Sequence, residues 1–400
     1  MLTPEGSSIS VQGRRPWDGE KLYFKGDDYF KDILRAIRRS KRRVDFEVYI
    51  YEKGILGDRI VSALIRAASR GVRVRLLVDG IGSPRCASDY GEKLKKGGVR
   101  FRVYRLFPSF LMFPRLLVSW LNGMVAHRRG SFWSHMNRRN HRKLVMVDRE
   151  WVWLGGFNVT DEHLESVAGK KAWRDTGLGL SGVRDRAFWL AFNTAWNDKV
   201  HRRLWRRYRD RLIAWLSRDN SPGPVQINAT RELRGRFHRE LLGRLRSARR
   251  RIWVTTPYFV PTLPILRVLL HAALKGCDVR LVLPEESDVP FVRWASMAFF
   301  PPLLKAGCRI FEYQKSILHA KTLVVDDWAM VGSSNFNHRS FLFDLEVDVA
   351  ILRPGSLEAL KRQYVSDFAR SREILFSDLN LRPFWIRLLT WLFFRLRYWL

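Results

Sequence analysis

The chain has 400 residues, with 72 Lys and Arg against 39 Asp and Glu, giving a formal net charge of +33. It is also 46% apolar, with 16 Trp and 25 Phe, which excludes a disordered basic tail, a class poor in aromatic residues. The length fits two or three domains. The charge calls for a polyanion, either nucleic acid or an anionic membrane surface.

In chain order, the opening MLTPEGSSIS lacks the basic-then-apolar pattern of a signal peptide, and residues 1–20 are expected to be a flexible N-terminus. The pattern over 27–40 predicts a helix capped by Asp27 or Asp28. Val44–Tyr51 alternates apolar and polar residues, as a half-buried strand does. A helical stretch over 55–70 leads to the strand GVRVRLLVDG (71–80), then a helix, then the strand GVRFRVY (98–104). The same order returns later. A basic helix over 231–249 precedes the strand RIWVTTPYFV (251–260), a helix, the strand GCDVRLVLPE (276–285) and a further helix ending at AGCRIFEY (306–313). Alternating strands and helices argue for an α/β fold, and their recurrence argues for a duplicated domain. The first copy is placed at 21–220 and the second at 227–381, with the turn-rich SPGPVQ (221–226) as the seam.

The copies differ in one stretch. Gly98 and His141 are 43 positions apart, whereas Gly307 and His319 are 12 apart, so the first copy carries an insert at about 105–135. Its segment LFPSFLMFPRLLVSWLNGMV (106–125) is apolar and aromatic. It reads either as a lid on the core or as a surface that rests on lipid or lines an acyl-chain groove. The tail 382–400, RPFWIRLLTWLFFRLRYWL, has four arginines, seven aromatics and no acidic residue. As a helix it gathers its polar residues into one arc, which fits either an interfacial membrane helix or an amphipathic helix docked on the domain. The longest uncharged run, Ile252–Leu266, holds three prolines in 15 residues, fewer than the ~20 a spanning helix needs. Membrane contact is therefore expected to be peripheral. Cys86, Cys277 and Cys308 are far apart in an odd-numbered set, so neither a disulfide framework nor a zinc site is expected, and a reducing compartment is.

Each copy ends in one constellation. In the first, His141, Lys143 and Asp148 are followed by Gly155, Gly156 and Asn158; in the second, His319, Lys321 and Asp326 are followed by Gly332, Ser333 and Asn335. On a strand, His and Lys two apart share a face. Imidazole, ammonium and amide on one surface suit a phosphate, with a nucleophile or acid/base, a charge clamp and a hydrogen-bond donor. Glycine lets a backbone come close to a ligand. One HxKx4D match arises by chance in roughly a few chains per hundred; two at the same place in a repeat do not. The copies depart from each other twice: Gly156 stands where the second has Ser333, and the spacing from Asp148 to Gly155 is one residue longer than from Asp326 to Gly332. The remaining histidines, His127, His135, His163, His201, His238, His271 and His338, lack metal-ligand spacing and are expected on the surface or in the core.

These paired motifs resemble the duplicated HKD motif of the phospholipase D superfamily. The stretches HRKLVMVDREWVWLGGFNVTDE (141–162), WRDTGLGLSG (173–182) and VGSSNFNHRSFLFDLEVDVAIL (331–352) are similar to bacterial cardiolipin synthases of the kind lacking N-terminal transmembrane helices. The resemblance implies duplicated phospholipase D-like domains, each a mixed sheet flanked by helices, with the active site at the pseudo-twofold interface. It implies a ping-pong phosphodiester reaction without metal or cofactor, with His141 the nucleophile and His319 the acid/base. Lys143, Lys321, Asn158 and Asn335 would hold phosphoryl oxygens, with Gly155 and Ser333 in the same phosphate site. Asp175 and Glu346 would orient the histidines. Asp148 and Asp326 belong to the catalytic motifs, but are expected to anchor local backbone. The implied activity moves a phosphatidyl group from a phospholipid donor to phosphatidylglycerol and releases a small alcohol such as glycerol. It would act at the cytoplasmic face of the bacterial plasma membrane with no nucleic-acid partner. Hydrolysis by a phospholipase D and cleavage by a superfamily nuclease are the alternatives. The +33 then reads as attraction to anionic phospholipid.

Overall fold

The computed structural model describes residues 15–105, 138–198, 208–214, 223–380 and 384–395. The apolar insert proper lies outside them, as do residues 1–14 and the last five of the tail. The first half contributes β1 (Gly19–Tyr23), β2 (Arg43–Val48), β3 (Arg73–Asp79), β4 (Arg100–Tyr104), β5 (Leu144–Val147), β6 (Trp151–Gly155) and β7 (Gly177–Ser181). They form one sheet in the order β1-β7-β6-β5-β2-β3-β4. The second half contributes β8 (Val225–Ile227), β9 (Arg251–Thr255), β10 (Phe259–Val260), β11 (Asp278–Pro284), β12 (Arg309–Tyr313), β13 (Thr322–Val325), β14 (Trp328–Gly332), β15 (Phe336–Asn337), β16 (Val347–Ala350) and β17 (Ser371–Ile374). Its main sheet runs β8-β16-β14-β13-β9-β11-β12-β17, and β10 pairs separately with β15.

Apart from β17, the two main sheets have the same order and the same strand directions. Two parallel pairings on one side, β2–β3–β4 and β9–β11–β12, need the crossover helices that the sequence shows. The motif strands on the other side are antiparallel hairpins. The chain is thus an α/β protein of two duplicated units, each a mixed sheet flanked by helices.

Among the described residues, three apolar cores follow from this arrangement. One lies between the sheets and takes Leu144, Leu154 and Leu178 from the first half and Val324, Val331 and Val347 from the second. Each half has its own outer core beneath its helices. Full burial of one such side chain contributes about 1.5–3 kcal/mol, so the shared core holds the halves in a fixed relation.

Several boundaries differ from the sequence reading. Trp17 is buried and β1 begins at Gly19, so the first sheet reaches back into residues expected to be flexible. Glu20 accepts backbone hydrogen bonds from Leu352 and Arg353 of the other half. The first helix spans Gly26–Arg39, which places Asp27 and Asp28 inside its first turn instead of at the cap; there they still favour the positive end of the helix dipole. β8 starts within the expected seam. The tail forms a helix over Phe384–Arg395 docked on the helix Pro290–Met297. No helix among the described residues is long and apolar enough to cross a membrane.

Candidate active site

β5 and β13 are short, apolar and buried on both faces, and each starts one residue after a motif lysine. Just before these strands the chain reaches across to the other half. The His141 amide donates to the Leu345 carbonyl at 3.0 Å, and the His319 amide donates to the Arg174 carbonyl at 2.8 Å. Those contacts set each histidine beside a carboxylate of the opposite copy. His141 Nδ1 lies 3.0 Å from Glu346 Oε1, and His319 Nδ1 lies 2.7 Å from Asp175 Oδ2. The motif copies therefore meet in one site, and their orienting carboxylates are exchanged between halves.

The two lysines lie on the histidine faces, as the two-residue spacing predicts. Lys143 Nζ donates to the His141 carbonyl at 2.7 Å, and Lys321 donates to the His319 carbonyl. Burial, with repulsion from Lys321, pushes Lys143 down to about 7, and burial pushes Lys321 down to about 8. Burial also holds both histidines well below their ordinary value, with Lys321 adding to the effect on each and Lys143 on His141 more strongly. The carboxylates move the other way, since burial raises Asp175 and lifts Glu346 to about 7. Charge crowded into a dry site raises the free energy of every ionised group. A phosphodiester anion placed between the lysines would relieve that cost.

The remaining motif residues have more varied duties. Asn158 Oδ1 accepts from the Ile50 amide, while its buried Nδ2 has no partner among the described residues. Asn335 Oδ1 is likewise buried and unpartnered. Asn158 thus keeps a donor that a phosphoryl oxygen can accept from, whereas the spare atom of Asn335 is an acceptor and suits a hydroxyl, not a phosphoryl oxygen. Gly155 and Ser333, expected to face phosphate, are engaged elsewhere. A Cβ on Gly155 would meet the Thr176 carbonyl at 2.4 Å, and the residue sits at φ +139°, so glycine is needed for the close pairing of β6 with β7. The Ser333 hydroxyl donates to Glu346 Oε2 at 2.5 Å and accepts from the Val347 amide at 3.0 Å. It steadies the carboxylate behind His141.

Asp148 and Asp326, grouped with the catalytic motifs on sequence, are not brought to the histidines. A seven-residue separation along extended chain is about 20 Å. Each sits at a hairpin turn with positive φ, +52° and +50°. Asp148 accepts from the amides of Lys41, Arg42 and Arg43, and Asp326 from those of Arg249, Arg250 and Arg251. Each ties a hairpin to the start of the neighbouring parallel strand. The extra residue in the first motif is absorbed here. The β5–β6 turn holds Asp148, Arg149 and Glu150, whereas the β13–β14 turn holds only Asp326 and Asp327.

Several residues at the site carry no motif signal. The Tyr49 ring meets His141 edge-on at 4.9 Å, and Lys143 Nζ stands 5.2 Å over it. Tyr49 is the first residue past β2, at the end of a strand that the alternation does mark. His163 is buried 5.9 Å from His319, ring centre to ring centre, with Trp173 against both. Burial pushes His163 down to about 3. Tyr258 donates to Asp288 Oδ2 at 2.6 Å, and the Asp288 charge acts through space on His319 and Lys321.

Among the described residues, His163, Asp175 and His319 are the one group able to offer three metal ligands, with ligand atoms within 4.8 Å of one another. Lys321 Nζ lies 3.0 Å from His319 Nδ1, and an ammonium so close opposes a dication.

A family profile described as cardiolipin synthase, phospholipase D-like domain, matches residues 33–168 and 241–371, together more than half of the chain. A cardiolipin synthase of Alkalihalophilus pseudofirmus is 33% identical over 372 residues, covering 92% of this chain and 70% of the relative. A cardiolipin synthase of Staphylococcus aureus is 34% identical over 376 residues, with the same coverage. Among solved structures, the phosphatidylserine synthase of Haemophilus influenzae superposes with a TM-score of 0.65 at 13% identity, covering 95% of each chain. The polyphosphate kinase of Porphyromonas gingivalis superposes with a TM-score of 0.57 at 14% identity, covering 94% of this chain and 52% of that one. The two structural likenesses concern the fold.

Proposed function

The chain belongs to the family of cardiolipin synthase phospholipase D-like domains, and from that premise we infer how its site works. It is a phosphatidyltransferase, a cardiolipin synthase. The observation that carries the mechanism is the pair of crossed contacts, His141 with Glu346 and His319 with Asp175.

With both Nδ1 atoms occupied, chemistry falls to the two Nε2 atoms. Burial keeps His141 neutral, so its lone pair is free to attack phosphorus. The donor phosphodiester binds between Lys143 and Lys321, and its negative charge together with Asp175 raises His319 into the protonated form. His141 Nε2 forms a bond to phosphorus while the bond from phosphorus to the headgroup oxygen breaks. His319 gives its Nε2 proton to that oxygen, and a small alcohol leaves. In the second step His319, now neutral, takes the proton from a hydroxyl of phosphatidylglycerol. That oxygen attacks phosphorus, the phosphorus–nitrogen bond breaks, and cardiolipin forms with the site restored. The protein works at an anionic phospholipid surface on the cytoplasmic face of a bacterial plasma membrane, where substrate and surface are the same material.

The test supplies the purified chain with phosphatidylglycerol and resolves products by mass spectrometry. Cardiolipin and glycerol in equal amounts are expected. Phosphatidic acid as the sole lipid product would replace transfer with hydrolysis.

A further inference from the structure

The helix Phe384–Arg395 is apolar on two sides. Its inner side docks: Ile386, Phe393 and Phe394 pack onto the second outer core. The Phe393 ring stacks on Phe291 at 6.0 Å and lies against Trp294 at 5.4 Å, and Phe394 meets Phe299 at 5.5 Å. The outer side presents Phe384, Trp385, Leu388, Trp391 and Leu392, each between 44% and 79% exposed. Their spacing puts them along one stripe. Scattered exposed apolar residues need no explanation, but a continuous stripe of five large ones marks a surface that meets something. The segment leading into the helix also exposes Leu375 and Phe376.

The stripe has a definite position relative to the chemistry. The helix Pro290–Met297, on which it is docked, begins two residues after Asp288. Asp288 is the rim carboxylate that Tyr258 holds and whose charge acts on His319 and Lys321. Phe291 itself is partly exposed and stacks on the tail. The tail helix is thus docked on an element that begins beside Asp288.

We propose that this face is where the protein seats on an anionic phospholipid bilayer, with the stripe in the interface and the rim of the His319 side turned toward the headgroups. Charge selects the occupant. A second copy would bring another +33 against the first, which opposes self-association, whereas anionic lipid attracts it. Cations border the apolar residues as they do on interfacial helices: Arg395 is exposed with its guanidinium 5.1 Å over Trp391, and Lys305 stands 5.7 Å over Phe376. The proposal rests on the lipid-substrate reading for the nature of the occupant. It goes beyond that reading in naming the surface and its place beside the site.

The test uses the full chain and a triple variant, Trp385→Ser, Leu388→Ser and Trp391→Ser, all on the exposed side. Flotation is measured with vesicles containing 30% phosphatidylglycerol in phosphatidylcholine. The wild type is expected to float, and the variant to lose at least ten-fold in partitioning while keeping its melting temperature and its rate on phosphatidylglycerol in detergent micelles. Unchanged flotation of the variant overturns the proposal. So does complete release of the wild type by 1 M NaCl, because the stripe would then contribute nothing. A wild-type dimer that the variant splits into monomers, with flotation unaltered, makes the face a self-interface and overturns it too. Flotation reads no product, so absence of cardiolipin in micelles would strike the catalytic reading and leave the docking result standing.

Discussion

In the first half, Gly156 lies beside the short carboxylate Asp175; in the second, Ser333 lies beside the longer Glu346. A Cβ on Gly156 would sit 2.0 Å from Asp175 Oδ1, so no side chain fits there. Asp175 is steadied by the Thr176 amide at 2.7 Å. Glu346 has one more rotatable bond and is steadied by two hydroxyls, Ser333 at 2.5 Å and Ser340 at 2.7 Å. The sheets repeat, but the groups that hold the two histidines do not. The short, direct Asp175 contact suits a residue whose proton must come and go, and the braced Glu346 suits one held fixed for attack on phosphorus. On the roles proposed above, the two histidines would divide the labour of the two steps inside a symmetric frame.

The sharpest way to break this comparison is to remove each histidine. His141→Ala and His319→Ala are each expected to lower cardiolipin formation by roughly ten-thousand-fold, the scale of losing a nucleophile or its proton-transfer partner. Labelled donor distinguishes them. His319→Ala should still accumulate label on His141, and His141→Ala should carry none. Label on His319 instead would exchange the roles of the halves.

Swapping the supporting residues tests the asymmetry itself. Gly156→Ser forces Asp175 away from His319, and Ser333→Gly removes one hydroxyl from Glu346. A hydrogen bond to a charged group is worth about 1.5–3 kcal/mol, or about ten- to hundred-fold in rate. The upper end is expected for Gly156→Ser, which displaces the whole carboxylate, and the lower end for Ser333→Gly, since Ser340 remains. Steady-state rates of the folded variants check this, with a lower melting temperature expected for Gly156→Ser because its Cβ meets Asp175, and equal rate losses would mean that the two supports are equivalent.

Much of this was legible in the sequence, and the reasons that some was not are physical. Helices and parallel strands such as β3 and β11 announce themselves by periodic apolar runs. β7, with the letters GLGLS, does not, because glycine carries no strand propensity; it forms because Gly155 and Gly177 let two backbones approach. The importance of Asp175 and Glu346 came through resemblance, but their exchange between halves could not be read from spacing, which says nothing about which copy docks on which. His163 lacks ligand spacing, and only the packing of one half on the other brings it to His319. The tail pattern allowed a docked helix or a membrane helix. The fold docks one side and leaves the other bare.

A smaller effect is expected from pH. Lys143 near 7 and Lys321 near 8 are ammonium ions only below those values. Bound phosphate favours the charged form, so affinity for the donor is present at low pH and lost as pH rises through both. The KM for phosphatidylglycerol should rise by roughly ten-fold between pH 7 and 9, about one pKa unit of coupling. A Lys321→Arg variant, charged throughout, should flatten that rise even where its different geometry lowers the maximal rate. A KM constant across the range would mean that the lysines do not face the phosphate together.

The smallest effect on chemistry is expected where the halves are most alike. Asp148 and Asp326 each accept three backbone amides at the turn of a hairpin, far from the histidines. Both are half-buried, so solvent discounts the value of hydrogen bonds to charge, and each Asp→Ala change is expected to cost about 1–2 kcal/mol of stability. Alanine also adopts positive φ less readily than aspartate, which adds to the loss in both. Melting temperatures should fall by a few degrees per variant, by similar amounts, with kcat within about two-fold of wild type. A large drop in kcat for one alone would extend the functional asymmetry out to the hairpin turns. Equal melting losses with intact turnover would confine that asymmetry to the histidines and the groups that touch them, because the duplicated acids serve the sheet, and both sheets need the same tie.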